Sequence, residues 1–168
     1  PAITCYTTRV DTIYGCTYMV VAPEFDGLAD LVRGLPEAEA VTRFAEKSAR
    51  LSAVERAGDT LEKNGVYTGR QVKNPYTGET IPLWVGDYVL TGYGTGAVMA
   101  VPAHDTRDWA FARKYGLPIR LSIQNPESPL TLEALTDAWT EDGILVDSGP
   151  FTGQTSAAAR TAMARFAE

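Results

Sequence analysis

Gly94-Thr95-Gly96-Ala97-Val98-Met99-Ala100-Val101-Pro102-Ala103-His104-Asp105-Thr106-Arg107-Asp108 is the stretch that decides the fold of this chain. Two glycines allow a sharp turn, five apolar residues read as a short strand, and Pro102 stops it. A helix is predicted next. Asp105 fits its N-cap and Asp108 its third position, Trp109 and Ala112 share a face with Arg113, and Gly116 and Pro118 close it. Upstream, residues 65–68, 71–72, 81–85 and 88–90 read as strands around a turn cluster at 74–78. Helices are predicted from Asp26 to about Arg33 and from Pro36 to Ala57, where Val41, Phe44, Ala45, Leu51 and Val54 recur at helical spacing and Gly58 ends the run. Residues 2–8 and 17–22 are rich in β-branched and aromatic types and read as strands flanking a polar loop or short turn at 9–15. Downstream, residues 119–123 and 143–146 read as strands, and 155–167 as an alanine-rich helix capped by Thr155 or Ser156. Short strands with mixed connections and added helices predict an α+β domain with a β-barrel core and peripheral helices. Regular β-α-β alternation is absent, which argues against a doubly wound sheet.

Composition narrows the chemistry. The 168 residues suit one domain, and 45% hydrophobic residues suffice for a sizeable core. No apolar run approaches the ~20 residues of a membrane span, and the start carries no leader pattern. A cytoplasmic piece excised from a larger protein, opening at Pro1, is the expectation. The net charge of −6 argues against a surface that reads many phosphates, but one or two arginines can still hold a single nucleotide. Cys5, Cys16 and a single histidine make neither a disulfide scaffold nor a zinc site, so no metal is expected. With no G-x-S-x-G, a Ser-His-Asp hydrolase would rest on His104 alone, so direct attack by water is the preferred route for any hydrolysis.

Three segments concentrate polar groups. Thr7-Thr8-Arg9-Val10-Asp11-Thr12 offers hydroxyls that can orient water or meet an oxyanion, and reads equally as a strand end with an Asx-type turn. Tyr93-Gly94-Thr95-Gly96 could bring backbone and an aromatic ring to a base, or be a plain glycine turn. In His104-Asp105-Thr106-Arg107-Asp108 the two aspartates lie at the positive end of a helix, where one could hold an ammonium while Arg107 holds a phosphate. Capping alone also explains aspartates there. His104 reads as a satisfied structural residue or as a base.

Together with Gly65-Val66-Tyr67-Thr68-Gly69, Phe111-Ala112-Arg113-Lys114-Tyr115-Gly116-Leu117-Pro118 and Gly149-Pro150-Phe151-Thr152-Gly153, these segments closely resemble the editing insertion domain of leucyl-tRNA synthetase. The likeness covers nearly the whole chain except about 26–63 and 124–142. The threonine-rich and Gly-Thr-Gly elements are shared with the isoleucyl and valyl enzymes, whereas the run from Ala97 to Asp108 is specifically leucyl. Val10 stands where the family usually has proline, and Phe25 where histidine is common.

The resemblance implies the editing-domain fold of the valyl, isoleucyl and leucyl enzymes over residues 1–168, as one domain of a larger class I ligase of protein biosynthesis. It implies an aminoacyl-tRNA deacylase that cleaves isoleucine, norvaline or methionine from leucine tRNA and spares leucine. A hydrophobic synthetic pocket gains only about 1–3 kcal/mol per methylene, so a second, hydrolytic site has to make the distinction. By the resemblance Asp108 would bind the substrate ammonium, with Asp105 assisting or buttressing. Thr7 and Thr8 would position the carbonyl and the water. Thr12, beside Arg9, would exclude leucine, and Met99, Val101 and His104 would wall the amino-acid pocket. Leu90 and Tyr93 would hold the terminal adenosine, and Arg107 its phosphate. The domain needs no cofactor of its own, ATP and Mg serving the parent's separate catalytic domain. The implied partners are the 3′ terminal adenosine of the tRNA, the rest of the synthetase, and boron compounds bridging the terminal ribose diol. The competing readings are editing for isoleucyl or valyl tRNA synthetase, and a catalytically silent β-barrel that docks through helices 36–57 and 155–167.

Overall fold

A computed structural model describes residues 2–51, 56, 62–92 and 94–166. These divide into two compact units. The first takes the residues up to Tyr6, Tyr18–Asn74 and Glu79–Met99, and the second takes Thr7–Thr17, Pro75–Gly78 and the chain from Ala100 onward.

The first unit is built on a four-stranded mixed sheet of β1 (Tyr18–Val21), β2 (Gly65–Lys73), β3 (Thr80–Gly86) and β4 (Ala97–Ala100), in the order β2-β3-β1-β4. All four residues of β1, Tyr-Met-Val-Val, are buried, as an interior strand covered on both faces requires. β1 runs parallel to β3, with Val20 opposite Trp84, and the long connection between them carries the helices α1 (Leu28–Val32) and α2 (Ala38–Ser48). Val32 and Val41 turn the apolar stripes of those helices inward. β2 and β3 form an antiparallel hairpin with a shift of register between Tyr67 and Gln71. Gly69, at φ +77°, supplies the left-handed residue inside that irregularity, while the Thr68 hydroxyl donates to the Leu83 carbonyl at 2.7 Å.

The second unit packs α3 (Thr106–Tyr115) and α4 (Ser156–Phe166) with a two-stranded ribbon of β5 (Ile123–Gln124) and β6 (Ile144–Leu145). Phe111, Ile123, Leu145, Ala159 and Met163 are fully buried in it. Gly116 ends α3 in the left-handed region at φ +65°, the predicted C-cap. A 3-10 helix at Val10–Gly15 packs against α4, and Tyr14 meets Phe151 with ring centroids 6.2 Å apart.

Several expectations need correction. Residues 2–8 join no ladder, although their exposure alternates along the chain as in a strand. Periodicity shows that a segment is extended, but not whether a partner strand lies beside it. Residues 88–90 likewise join no ladder, and of 119–123 only Ile123 does. The polar loop or short turn predicted at 9–15 is a 3-10 helix, and its residues Asp11 to Gly15 are buried despite their polar start. The helix predicted to reach Ala57 ends at Ser48, and its expected continuation through Val54 to Gly58 lies largely outside the described residues. The described strands form one open sheet and one ribbon, so among the described residues the expected barrel is not closed.

Candidate functional site

The N-terminus of α3 is organised by Asp105. Its Oδ1 accepts the N–H groups of Arg107 at 2.9 Å and Asp108 at 3.1 Å, and its Oδ2 pairs with the Arg107 guanidinium at 3.2 Å. This satisfies donors that a helix start leaves open, worth about 1 kcal/mol. Asp105 is therefore the helix cap. Arg107 is half exposed, so its bond to Asp105 contributes little to stability and leaves it at the surface.

Asp108 is different. Its side chain is buried at 5% exposure, and its Oδ2 accepts the N–H of Val101 at 2.9 Å, tying the residues just before α3 to its first turn. A burial of this kind costs several kcal/mol unless the ion is compensated, and the helix N-terminus supplies part of that compensation.

In the same unit, the threonine-rich segment is held by local bonds. Thr7 Oγ1 accepts the Arg9 N–H at 3.0 Å, and Thr8 is exposed. Thr12 is almost fully buried, and its Oγ1 and N–H both donate to the Arg9 carbonyl, at 2.7 and 3.1 Å. Its hydroxyl is thus turned back into the 3-10 turn. Arg9 chelates the buried carboxylate of Asp11 through Nε and Nη2, and its Nη1 donates to the Thr140 carbonyl.

His104 is a structural residue by its bonding. It is buried, Nδ1 donates to the Trp139 carbonyl at 3.0 Å, and Nε2 accepts the N–H groups of Ser122 and Ile123 at 3.0 and 3.2 Å. Both backbone bonds to Nε2 require its lone pair, which fixes the neutral tautomer and leaves nothing to abstract a proton. Burial pushes its pKa down from 6.5 to about 4, against the bond to Trp139, which raises it. A lowered folded pKa means the unfolded chain takes up this proton first. The stability contributed is therefore complete above pH 6.5 and is lost as pH falls toward 4, about 3 kcal/mol across the window. Denaturant unfolding between pH 7 and pH 4 should show that loss, and His104→Asn should flatten the slope. An equal slope in the variant would assign the acid sensitivity elsewhere.

The second unit thus contains Thr7, Thr8, Arg9, Thr12, Val101, His104, Asp105, Arg107 and Asp108. Leu90 and Met99, both half-buried, belong to the first unit, and Tyr93 lies outside the described residues. A surface cleft of about 310 Å³ follows a different stripe of α3, lined by Trp109, Arg113, Gly116 and Leu132, and it includes none of these residues.

Three residues escape the sequence reading. Asp11 is completely buried, and Arg160 of α4 donates to it at 3.3 Å while chelating Asp142 at 2.9 and 2.7 Å. The bond to Arg160 holds the Asp142 carboxyl below its usual range, and Asp142 in turn raises Arg160. Asp11 and Arg160 lie 149 residues apart, and no local pattern announces such a pair.

Known proteins resemble this chain over most or all of its length. The family model "Leucyl-tRNA synthetase, editing domain" matches residues 1–168. A leucine–tRNA ligase of Nitratidesulfovibrio vulgaris is 49% identical over 163 residues, 97% of this chain and 20% of that protein. One from Symbiobacterium thermophilum is 52% identical over 155 residues, 90% and 18% of the two. The chain thus spans about a fifth of the length of these relatives. Among solved structures, a LeuRS–tRNA–LeuAMS ternary complex from Agrobacterium radiobacter K84 superposes with a TM-score of 0.69 at 34% identity, over 98% of this chain and 17% of that one.

Proposed function

This chain belongs to the leucyl-tRNA synthetase editing-domain family, and from that premise we propose that it hydrolyses the ester between a noncognate amino acid and the terminal adenosine of leucine tRNA, sparing leucine. The observation that carries the proposal is the buried carboxylate of Asp108 at the first turn of α3, in a chain of this family. Such a group is suited to an α-ammonium, since an ion pair formed away from water is far less screened than one at the surface.

The rest of the chemistry is positioning. His104 has no lone pair for proton transfer, so water attacks the ester directly, oriented by the hydroxyls of Thr7 and Thr8. The tetrahedral oxyanion forms as the water adds, and the ribose oxygen leaves with the proton. Thr12 presents its methyl as the filter, because its hydroxyl is committed to the Arg9 carbonyl. Val101 walls the amino-acid side and His104 stiffens it from behind. Arg107, exposed beside Asp105, takes the phosphate of the terminal nucleotide. Leu90, Tyr93 and Met99 keep the roles the resemblance implies. Isoleucine, norvaline and methionine are the expected targets, and a boron adduct of a terminal nucleotide is an expected ligand. The tRNA named in the related complex supports tRNA as partner. The silent-domain reading is disfavoured because α4 buries Ala159 and Met163 within its own unit rather than offering them to a partner.

The test is the hydrolysis of isoleucyl- and leucyl-tRNA, both on leucine tRNA, by the full-length synthetase carrying this chain. The isoleucyl ester should be cleaved at least tenfold faster, the scale that side-chain exclusion reaches in one pocket. Equal rates on both esters, or none on either, would overturn the proposal.

A further inference from the structure

We propose that Arg160 is a positioning residue for substrate selectivity, acting through Asp11 on the 3-10 turn that carries Thr12. The inference rests on the editing function proposed above and adds to it a residue from the far end of the chain.

Asp11 is a carboxylate with no exposed surface, set in the turn one residue before Thr12. A buried ion holds its place only while its partners do, because leaving it uncompensated is strongly unfavourable. Two cations perform that task. Arg9 approaches from two residues earlier, at the start of the same turn, and would travel with it if the turn shifted. Arg160 approaches from α4, whose Ala159 and Met163 are fully buried, so it is anchored in the body of the unit. Asp142 clamps the same guanidinium through its two terminal nitrogens, Nη1 and Nη2, which leaves Arg160 a fixed orientation toward Asp11. Arg9 itself reaches the Thr140 carbonyl and lies 3.5 Å from Asp142, so both cations converge on the segment 140–142.

The consequence falls on Thr12. Its N–H and Oγ1 hang on the Arg9 carbonyl, and Arg9 and Asp11 are the residues the network grips. A branched side chain can exclude one isomer of a substrate only if it is held to within a fraction of an ångström. Arg160 supplies that restraint from outside the turn. It touches neither the ester nor the water and is not a catalytic residue.

The experiment is a double-mutant cycle in the full-length synthetase, reading the ratio of isoleucyl- to leucyl-tRNA hydrolysis. Arg160→Gln should lower the ratio roughly tenfold, mainly by letting the leucyl ester be cleaved, and Arg160→Lys should restore only part of it, because one ammonium can face both carboxylates but cannot reproduce the two-nitrogen grip on Asp142. In a Thr12→Ala background, Arg160→Gln should change the ratio no further, since the filter it steadies is gone. Asp142→Asn, at an exposed residue, frees Arg160 without touching Asp11 and should give a smaller loss in the same direction, a route that stays open if Arg160→Gln fails to fold. An unchanged ratio in the folded variants, or an equal further loss in the Thr12→Ala background, overturns the proposal. If the unmodified synthetase does not prefer the isoleucyl ester, the editing assignment fails first and the role of Arg160 falls with it.

Discussion

Asp108→Asn in the full-length synthetase is expected to slow hydrolysis of isoleucyl-tRNA by about a hundredfold or more while the domain stays folded. The amide keeps an oxygen that can accept the Val101 N–H, so that bond survives. What it removes is the charge. A substrate ammonium entering a dry pocket without its counter-ion loses on the order of 3–5 kcal/mol, the cost of breaking one side of a buried ion pair. Asp108→Ala is the less informative variant. It also deprives a buried N–H of its acceptor, at about 1–3 kcal/mol of stability, and so mixes folding with function. Single-turnover deacylation beside a thermal melt separates the two. Full activity in a folded Asp108→Asn variant would remove Asp108 as the ammonium anchor.

Thr12→Ala should turn the domain against its own cognate product. Losing the methyl and the hydroxyl together enlarges a site whose wall residue is only 1% exposed, and leucyl-tRNA hydrolysis should rise roughly 10- to 100-fold. The bonding of Thr12 makes the prediction sharper. Its hydroxyl is spent on the Arg9 carbonyl, which still receives the backbone N–H when the hydroxyl is gone. Thr12→Val, which keeps the branched volume, should therefore go on excluding leucine. If Thr12→Val admits leucine as readily as Thr12→Ala, the hydroxyl and not the bulk is the discriminating group.

These two predictions differ in how far they could be read from the linear chain. That Asp105 caps a helix and Asp108 occupies its third position follows from spacing, and the structure places both there. Which of them is buried does not follow from spacing. Two aspartates in the first turn of a helix look alike until the packing of that turn is known, and here the Val101 N–H faces Asp108 while Arg107 folds back on Asp105. His104 was open between a base and a structural residue. The carbonyl and two N–H groups that decide it come from Trp139, Ser122 and Ile123, 18 to 35 residues away.

The burial of the turn at 9–15 is hidden from the sequence for a related reason. Its arginine, aspartate and threonines look solvated, since polar residues cluster in loops far more often than inside. Asp11 is nevertheless buried because Arg160 and Arg9 neutralise it, and composition cannot anticipate a cation supplied 149 residues later.

Local chemistry thus determined, from sequence alone, a strand at Tyr18–Val21, strands on either side of the turn at 74–78, the capped α3 and the alanine-rich α4. Each of these depends on residues a few positions apart, where steric preference, periodicity and capping act directly. Only the tertiary structure decided that Asp11 is an interior ion, that His104 is locked neutral, and that residues 2–8 run without a ladder partner. Those outcomes turn on desolvation and long-range pairing, and their energies are set by groups distant in sequence that only folding brings within hydrogen-bonding reach.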